Sequence, residues 1–144
     1  MDDARLIDTI TAHEGYRQFY YADSVGLTTV AIGRCLDSKR GKGILMHEAM
    51  YLLQNDIDDC KAKLQVFPWY IILNPVRQGA LIELVFNLGI NGLLSFKNMI
   101  ASLSKSDFKA AVKELLNSLW AKQVGPLRSS NIAYRLEYGA HQHS

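Results

Sequence analysis

Residues 13–33 read HEGYRQFYYADSVGLTTVAIG, and the fold of this chain turns on how that stretch is parsed. Immediately upstream, Leu6, Ile7 and Ile10 recur at helical spacing between Asp3 and His13, and Gly15 stops the run. Glu14 therefore falls at the C-terminal edge of a helix. From Phe19 to Gly33 the chain is rich in Tyr, Thr, Val and Ile and is interrupted by Asp23-Ser-Val-Gly26, a pattern that predicts strand, turn, strand. A hairpin folding back can bring together Glu14, Asp23 in the turn, and Thr29 on the second strand. Glycoside hydrolysis needs one carboxyl held protonated to donate to the leaving oxygen and a second group that stays anionic beside the oxocarbenium-like transition state. Glu14 and Asp23 suit those roles. On spacing alone the bland readings weigh more: acids at helix ends and in turns mostly cap or face water, and a threonine such as Thr29 is an ordinary strand residue.

Downstream, Lys39-Arg-Gly-Lys-Gly43 has no apolar period and two glycines, which predicts a flexible loop whose charge serves solvation. Met46, Met50, Leu53, Ile57, Cys60 and Leu64 then step by three and four, predicting a long helix from Met46 to Leu64. Asn74-Pro75 is a helix start, with a capping side chain followed by a proline whose missing donor would be orphaned anyway, and the helix is expected to reach Leu88. Further helical periods run through Leu94, Phe96, Met99, Ile100 and Leu103, and through Phe108, Val112, Leu115 and Leu119. Asp107 lies beside a cap, and Gly125-Pro126 is expected to close the last segment. The expected class is α+β and predominantly helical: a small lobe with a β-hairpin, joined by a long helix to a larger helical lobe. It reads as one domain over residues 1–144, the small lobe at about 14–64 and the helical lobe at about 65–144 plus the N-terminal helix.

The chain has 144 residues, 49% hydrophobic and 21% charged, the balance of a globular protein long enough to bury a core. Its net charge of +2 is too small and too evenly spread to predict nucleic-acid binding. Cys35 and Cys60 are too few for a disulfide framework and lack zinc-ligand spacing, so reduced thiols are expected and no metal or cofactor is. The opening MDDARLIDTITAHEG carries acids and no long apolar run, so neither a secretory signal nor stable membrane insertion is expected. Trp69 and Trp120 read as core fillers, and His141 and His143 lack an acid partner.

His-Glu-Gly-Tyr-Arg at 13–17, Tyr21-Ala-Asp23, Gly26-Leu-Thr-Thr29 and Ala31-Ile-Gly33 together resemble, in order, type and spacing, the catalytic segment of the T-even-type phage lysozymes, glycoside hydrolase family 24. Asn55-Asp56-Ile-Asp58 looks like the long-helix motif of that family, and the segment from Arg77 to Gly89 looks like its central buried helix. Ser95-Phe-Lys-Asn98, Trp120 and Gly125-Pro-Leu-Arg128 extend the likeness over nearly the whole chain. The resemblance implies a lysozyme-like fold and an endolysin that hydrolyses the β-1,4 bond between N-acetylmuramic acid and N-acetylglucosamine. It further implies Glu14 as general acid, Asp23 as second carboxylate and Thr29 as the partner that positions water, an inverting arrangement. Cys35, Phe86 and Arg128 would contact substrate, Arg128 reaching Glu14, with Met99 and Lys113 as less secure cleft residues. For Phe86, core packing weighs equally.

Three positions depart from the family. Arg34 stands where a histidine is usual, with Asp56 as its expected partner in a bidentate pair. Ala31 replaces a frequent glycine, and Met46 stands near a helix start in place of a capping hydroxyl. The expected partners are bacterial peptidoglycan and, functionally, a holin-type pore that releases the enzyme from the host cytoplasm to the periplasm and its wall; a monomer is expected, with no nucleic acid. Two rivals remain: a lytic transglycosylase, disfavoured by Asp23 and Thr29, and a catalytically impaired lysozyme-fold protein that binds peptidoglycan or serves a virion structurally.

Overall fold

The computed structural model describes residues 3–143. Helix α1 (Asp3–Glu14) is followed by β1 (Arg17–Ala22), β2 (Thr28–Ala31) and a short β3 (Arg34–Cys35). Helices α2 (Met46–Leu64), α3 (Pro68–Ile71), α4 (Pro75–Leu94), α5 (Lys97–Ser104), α6 (Phe108–Leu116), α7 (Leu119–Val124) and α8 (Pro126–Tyr138) complete the chain. This is the predominantly helical α+β class, with a β-hairpin near the N-terminus, expected from the sequence. The chain divides into two compact units, one through Leu52 and one from Leu53 onward, so the division falls within α2.

In the first unit the three strands form an antiparallel sheet in the order β1-β2-β3. Tyr21 faces Thr29 and Arg17 faces Ala31, so the register slips between Arg17 and Tyr21, and this bulge leaves Phe19 and Tyr20 exposed. Thr29 in turn faces Cys35 and Val30 faces Arg34, which makes Tyr21, Thr29 and Cys35 lateral neighbours on one face. Two left-handed residues turn the chain from β2 into β3, Ala31 at the end of β2 with φ 58° and Gly33 just before β3 with φ 73°. The Lys39–Gly43 loop is tied down more firmly than its composition predicts: Asp37 Oδ1 accepts from the amides of Lys39 and Arg40, both at 2.9 Å, and the Gly43 amide donates to the Cys35 carbonyl at 3.2 Å.

The expected bounds of α2 hold, and although Met46 offers no capping hydroxyl, the first turn supplies a cap of its own. Leu45 precedes the helix, and Glu48, at the third helical position, accepts from the Leu45 amide at 2.9 Å, half of a capping box supplied from inside the helix.

The second unit holds the hydrophobic core, from Cys60 and Leu64 through Leu81, Leu84, Leu93, Leu103 and Leu115 to Ile132 and Leu136. Asn74 caps α4 by accepting from the Arg77 amide at 2.9 Å, with Pro75 at the first helical position, as the sequence requires. Regular helix stops at Leu88, because Gly89 sits at φ 75°, ψ 166° and kinks the element before it resumes to Leu94. Asp107 caps α6 through the Ala110 amide, while Ser118 ends that run and caps a separate α7.

Gly125 closes α7, where the sequence ends that segment, and a further helix follows that the sequence did not announce. Pro126 opens α8, whose buried face includes Ser129 and Arg135. Those polar positions hide the apolar period, and each is satisfied: the Ser129 hydroxyl donates to the Gly125 carbonyl at 2.9 Å and Arg135 Nη2 donates to Glu83 Oε1 at 2.6 Å. Arg77 anchors the far end of α8 by donating to the Leu136 and Glu137 carbonyls at 2.8 and 2.6 Å, its guanidinium stacked 3.5 Å over the Phe108 ring, and burial lowers its pKa. Trp120 is buried and donates to Asn87 at 2.7 Å, and Trp69 stacks on Phe67, in keeping with roles in packing.

Candidate active site

Glu14 is the last residue of α1, and Gly15 (φ 73°) turns the chain so that the strand beginning at Arg17 can return along β2. Its side chain rests on the β2–β3 connection: a Cβ built on Gly33 would lie 2.8 Å from Glu14 Oε2 and 3.0 Å from its Cδ. A side chain at this position would push the Glu14 carboxyl aside, and φ 73° favours glycine there in any case. The carboxyl thus lies against the hairpin, on a residue that stays exposed to solvent.

Asp23 begins the turn between β1 and β2. Its Oδ1 accepts from the amides of Val25 and Leu27 at 2.9 and 2.8 Å, while its own amide donates to the Leu27 carbonyl at 2.9 Å. The aspartate thus builds its own turn, and both side-chain bonds fall on Oδ1, leaving Oδ2 without a hydrogen bond among the described residues. Thr29 is 3% exposed, and its hydroxyl donates to the Leu27 carbonyl at 2.9 Å. With that proton committed, the lone pairs of Oγ1 remain as acceptors. Leu27 links the two groups, since its amide holds Asp23 and its carbonyl holds Thr29. Cys35, a half-buried free thiol, lies beside Thr29 on β3.

Glu14, Asp23, Thr29 and Cys35 all belong to the unit that ends at Leu52, whereas Phe86 and Arg128 belong to the other. Phe86 is 48% exposed on α4, so it is not a core residue. Arg128 Nε lies 3.6 Å from Glu83 Oε2 on its own unit, an exposed pair that shares Glu83 with Arg135. Met99 is fully buried in the core, which removes it from the cleft-lining residues, while Lys113 is exposed on α6.

Arg34 does not pair with Asp56. Its two terminal nitrogens meet the two carboxylate oxygens of Glu48, each at 2.6 Å, and Nη1 also donates to the Gly43 carbonyl at 3.0 Å. Glu48 lies on the first turn of α2, close to the returning loop, whereas Asp56 lies two turns further along. The bidentate bond to Arg34, assisted by the Leu45 amide, holds Glu48 down to a pKa of about 2 and raises that of Arg34. This clamp fixes β3, and with it Gly33 and Cys35, to α2. Glu48 and Gly33 are the positions that sequence reasoning missed; an acid three residues after Leu45 at a helix start was the available signal for the first.

The profile of the family described as phage lysozyme matches residues 11–134. The chain is 26% identical to "Probable T4-type lysozyme 1" of Dictyostelium discoideum, over 92% of this chain and 93% of that protein. It is also 26% identical to "Pre-baseplate central spike protein Gp5" of Enterobacteria phage T4, over 83% of this chain but 25% of that much longer protein. With the profile spanning both the hairpin that carries Glu14, Asp23 and Thr29 and the helical core behind α4, the chain belongs to the phage lysozyme family.

Proposed function

We propose that this protein is a muramidase that hydrolyses the β-1,4 bond between N-acetylmuramic acid and N-acetylglucosamine in peptidoglycan. The observation that carries the reading is the seating of Glu14 against the Gly33 backbone, in the same unit as an Asp23 and a Thr29 oriented through Leu27. Glu14 donates its proton to the leaving oxygen. Asp23 holds Oδ2 beside the developing positive charge and takes the proton of the attacking water, which the lone pairs of Thr29 orient, so that attack from the face opposite the leaving group gives inversion at the anomeric carbon. Cys35, Phe86 and Arg128 contact the sugars. The biological role is host lysis: the enzyme is held in the cytoplasm as a monomer until a holin-type pore admits it to the wall.

The test is mass spectrometry of products released from purified peptidoglycan by wild type and by Glu14→Gln at equal concentration. Hydrated muropeptides with a reducing muramic acid end, lost in Glu14→Gln, are expected. Anhydro products would make the protein a lytic transglycosylase. The first-formed anomer from a chitooligosaccharide, read by NMR, is expected to be α, and a β product would replace inversion with retention.

The likeness to a spike protein, of which this chain spans a quarter, favours a second reading as a virion module that binds peptidoglycan without cleaving it. No products from a folded wild type that still sediments with peptidoglycan would establish that reading.

A further inference from the structure

We propose that Arg40 and Lys42 form a subsite for the carboxylates of the stem peptides carried by the glycan, an inference that rests on peptidoglycan being the substrate. The loop between β3 and α2 bounds a pocket of about 460 Å³ whose lining includes Gly33, Cys35, Arg40 and Lys42. Gly33 is the residue on which Glu14 rests and Cys35 is the neighbour of Thr29, so the pocket adjoins the candidate catalytic groups. Its cations are unequal. Arg34, also in the lining, is neutralised by Glu48, whereas among the described residues neither Arg40 nor Lys42 forms an ion pair.

The loop is built to present these two side chains. Asp37 gathers the Lys39 and Arg40 amides on Oδ1 and the Gly41 amide on its carbonyl at 2.8 Å. A Cβ on Gly41 would run into the Cys35 carbonyl, so the backbone between Arg40 and Lys42 lies directly on β3. An anchored backbone carrying two cations without an ion pair, in a pocket that shares Gly33 and Cys35 with the surroundings of Glu14 and Thr29, fits an anionic substituent of the glycan. A planar guanidinium next to an ammonium suits carboxylates in particular. Peptidoglycan offers them in two places, the lactyl group of muramic acid and the stem peptide. In strands that carry peptide the lactyl group is consumed in an amide, which leaves the peptide's own acids as the ligand.

The test is binding, measured by calorimetry with Glu14→Gln so that cleavage does not interfere. Three oligosaccharides of equal length are compared: a chitooligosaccharide without carboxylates, a peptidoglycan strand stripped of peptide, and a strand bearing stem peptides. The peptide-bearing strand is expected to bind about 5- to 10-fold more tightly than the stripped one, and Arg40→Ala/Lys42→Ala in the same background should bring that ratio close to one. Charge reversal at both positions should invert the preference, and a circular-dichroism melt verifies the fold of each variant. An unchanged ratio in the double variant, or no preference in the parent, overturns the proposal. A preference for the stripped strand over the chitooligosaccharide that depends on Arg40 and Lys42 would transfer the ligand to the lactyl group and overturn the peptide assignment. Because this readout needs no turnover, wild type that binds with the expected preference yet releases no products would reject the muramidase reading while leaving the subsite standing.

Discussion

Gly33, in the two-residue connection between β2 and β3, and Ala31, at the end of β2, make opposite predictions. Gly33→Ala places a methyl within 2.8 Å of Glu14 Oε2 at a backbone φ of 73°, so the substitution both strains the turn and displaces the acid. A displaced acid of this kind costs about 10- to 100-fold in kcat, since roughly 1 Å of misplacement suffices for the larger figure. Steady-state hydrolysis at a temperature well below the melt of the variant checks it, and wild-type kcat in a folded Gly33→Ala would dissociate Glu14 from the chemistry. Ala31 already holds a left-handed conformation, φ 58°, which costs an L-residue about 1–2 kcal/mol and a glycine nothing. Part of that gain is lost to the greater freedom of glycine in the unfolded chain, so Ala31→Gly is expected to stabilise by about 0.5–1 kcal/mol. A lower urea midpoint for Ala31→Gly would contradict it. Glu14 and Asp23 were legible as candidates because a helix stop and a turn motif place them. The seat of Glu14 was not, because it depends on which backbone approaches a side chain from the next connection.

Among the elements, the tie between β3 and α2 depends most on pH. Glu48 is depressed to about 2 by Arg34 and the Leu45 amide, against an ordinary value near 4.5. A carboxylate lowered on folding adds stability that is fully present above its unfolded pKa and is lost as pH falls through its folded one, here from about 4.5 down to about 2. Glu48→Gln keeps an acceptor for the Leu45 amide but has no charge to titrate. The difference in Tm between wild type and Glu48→Gln is therefore expected to be largest near neutrality and to shrink across that acid window. A difference that stays constant from pH 6 to pH 2 would mean that the charge on Glu48 contributes nothing to stability. That Arg34 would take a carboxylate was readable from the sequence, but which one was not. Two acids on one helix are equivalent in sequence until the loop from Leu36 to Leu45 decides which turn the strand meets.

At the scale of the whole molecule the two units are stabilised differently. Through Leu52, Thr29 is the one buried residue among those described, and the sheet is held by backbone ladders, the Asp23 and Asp37 turns and the Arg34–Glu48 pair. From Leu53 onward a continuous apolar core joins α2, α4, α5, α6 and α8. Amide exchange should follow this division, slowest in α4 and α8 and fastest in β1 and the Lys39–Gly43 loop, because local opening costs least where least apolar surface is buried. Equal protection in β1 and α4 would refute it. Leu84→Ala, at a position with no exposure, should cost about 2–5 kcal/mol in the main unfolding transition. Apolar spacing, turn residues and caps located α1, the hairpin, α2, α4 and α6 without any tertiary information, since those signals are local and repeat with the period of the element that carries them. Helix α8, the separation of α7 from α6, the partner of Arg34 and the seat of Glu14 required the folded chain. Arg135 and Ser129 are buried only because Glu83 and the Gly125 carbonyl meet them, and a polar group enters a core when a partner is waiting there.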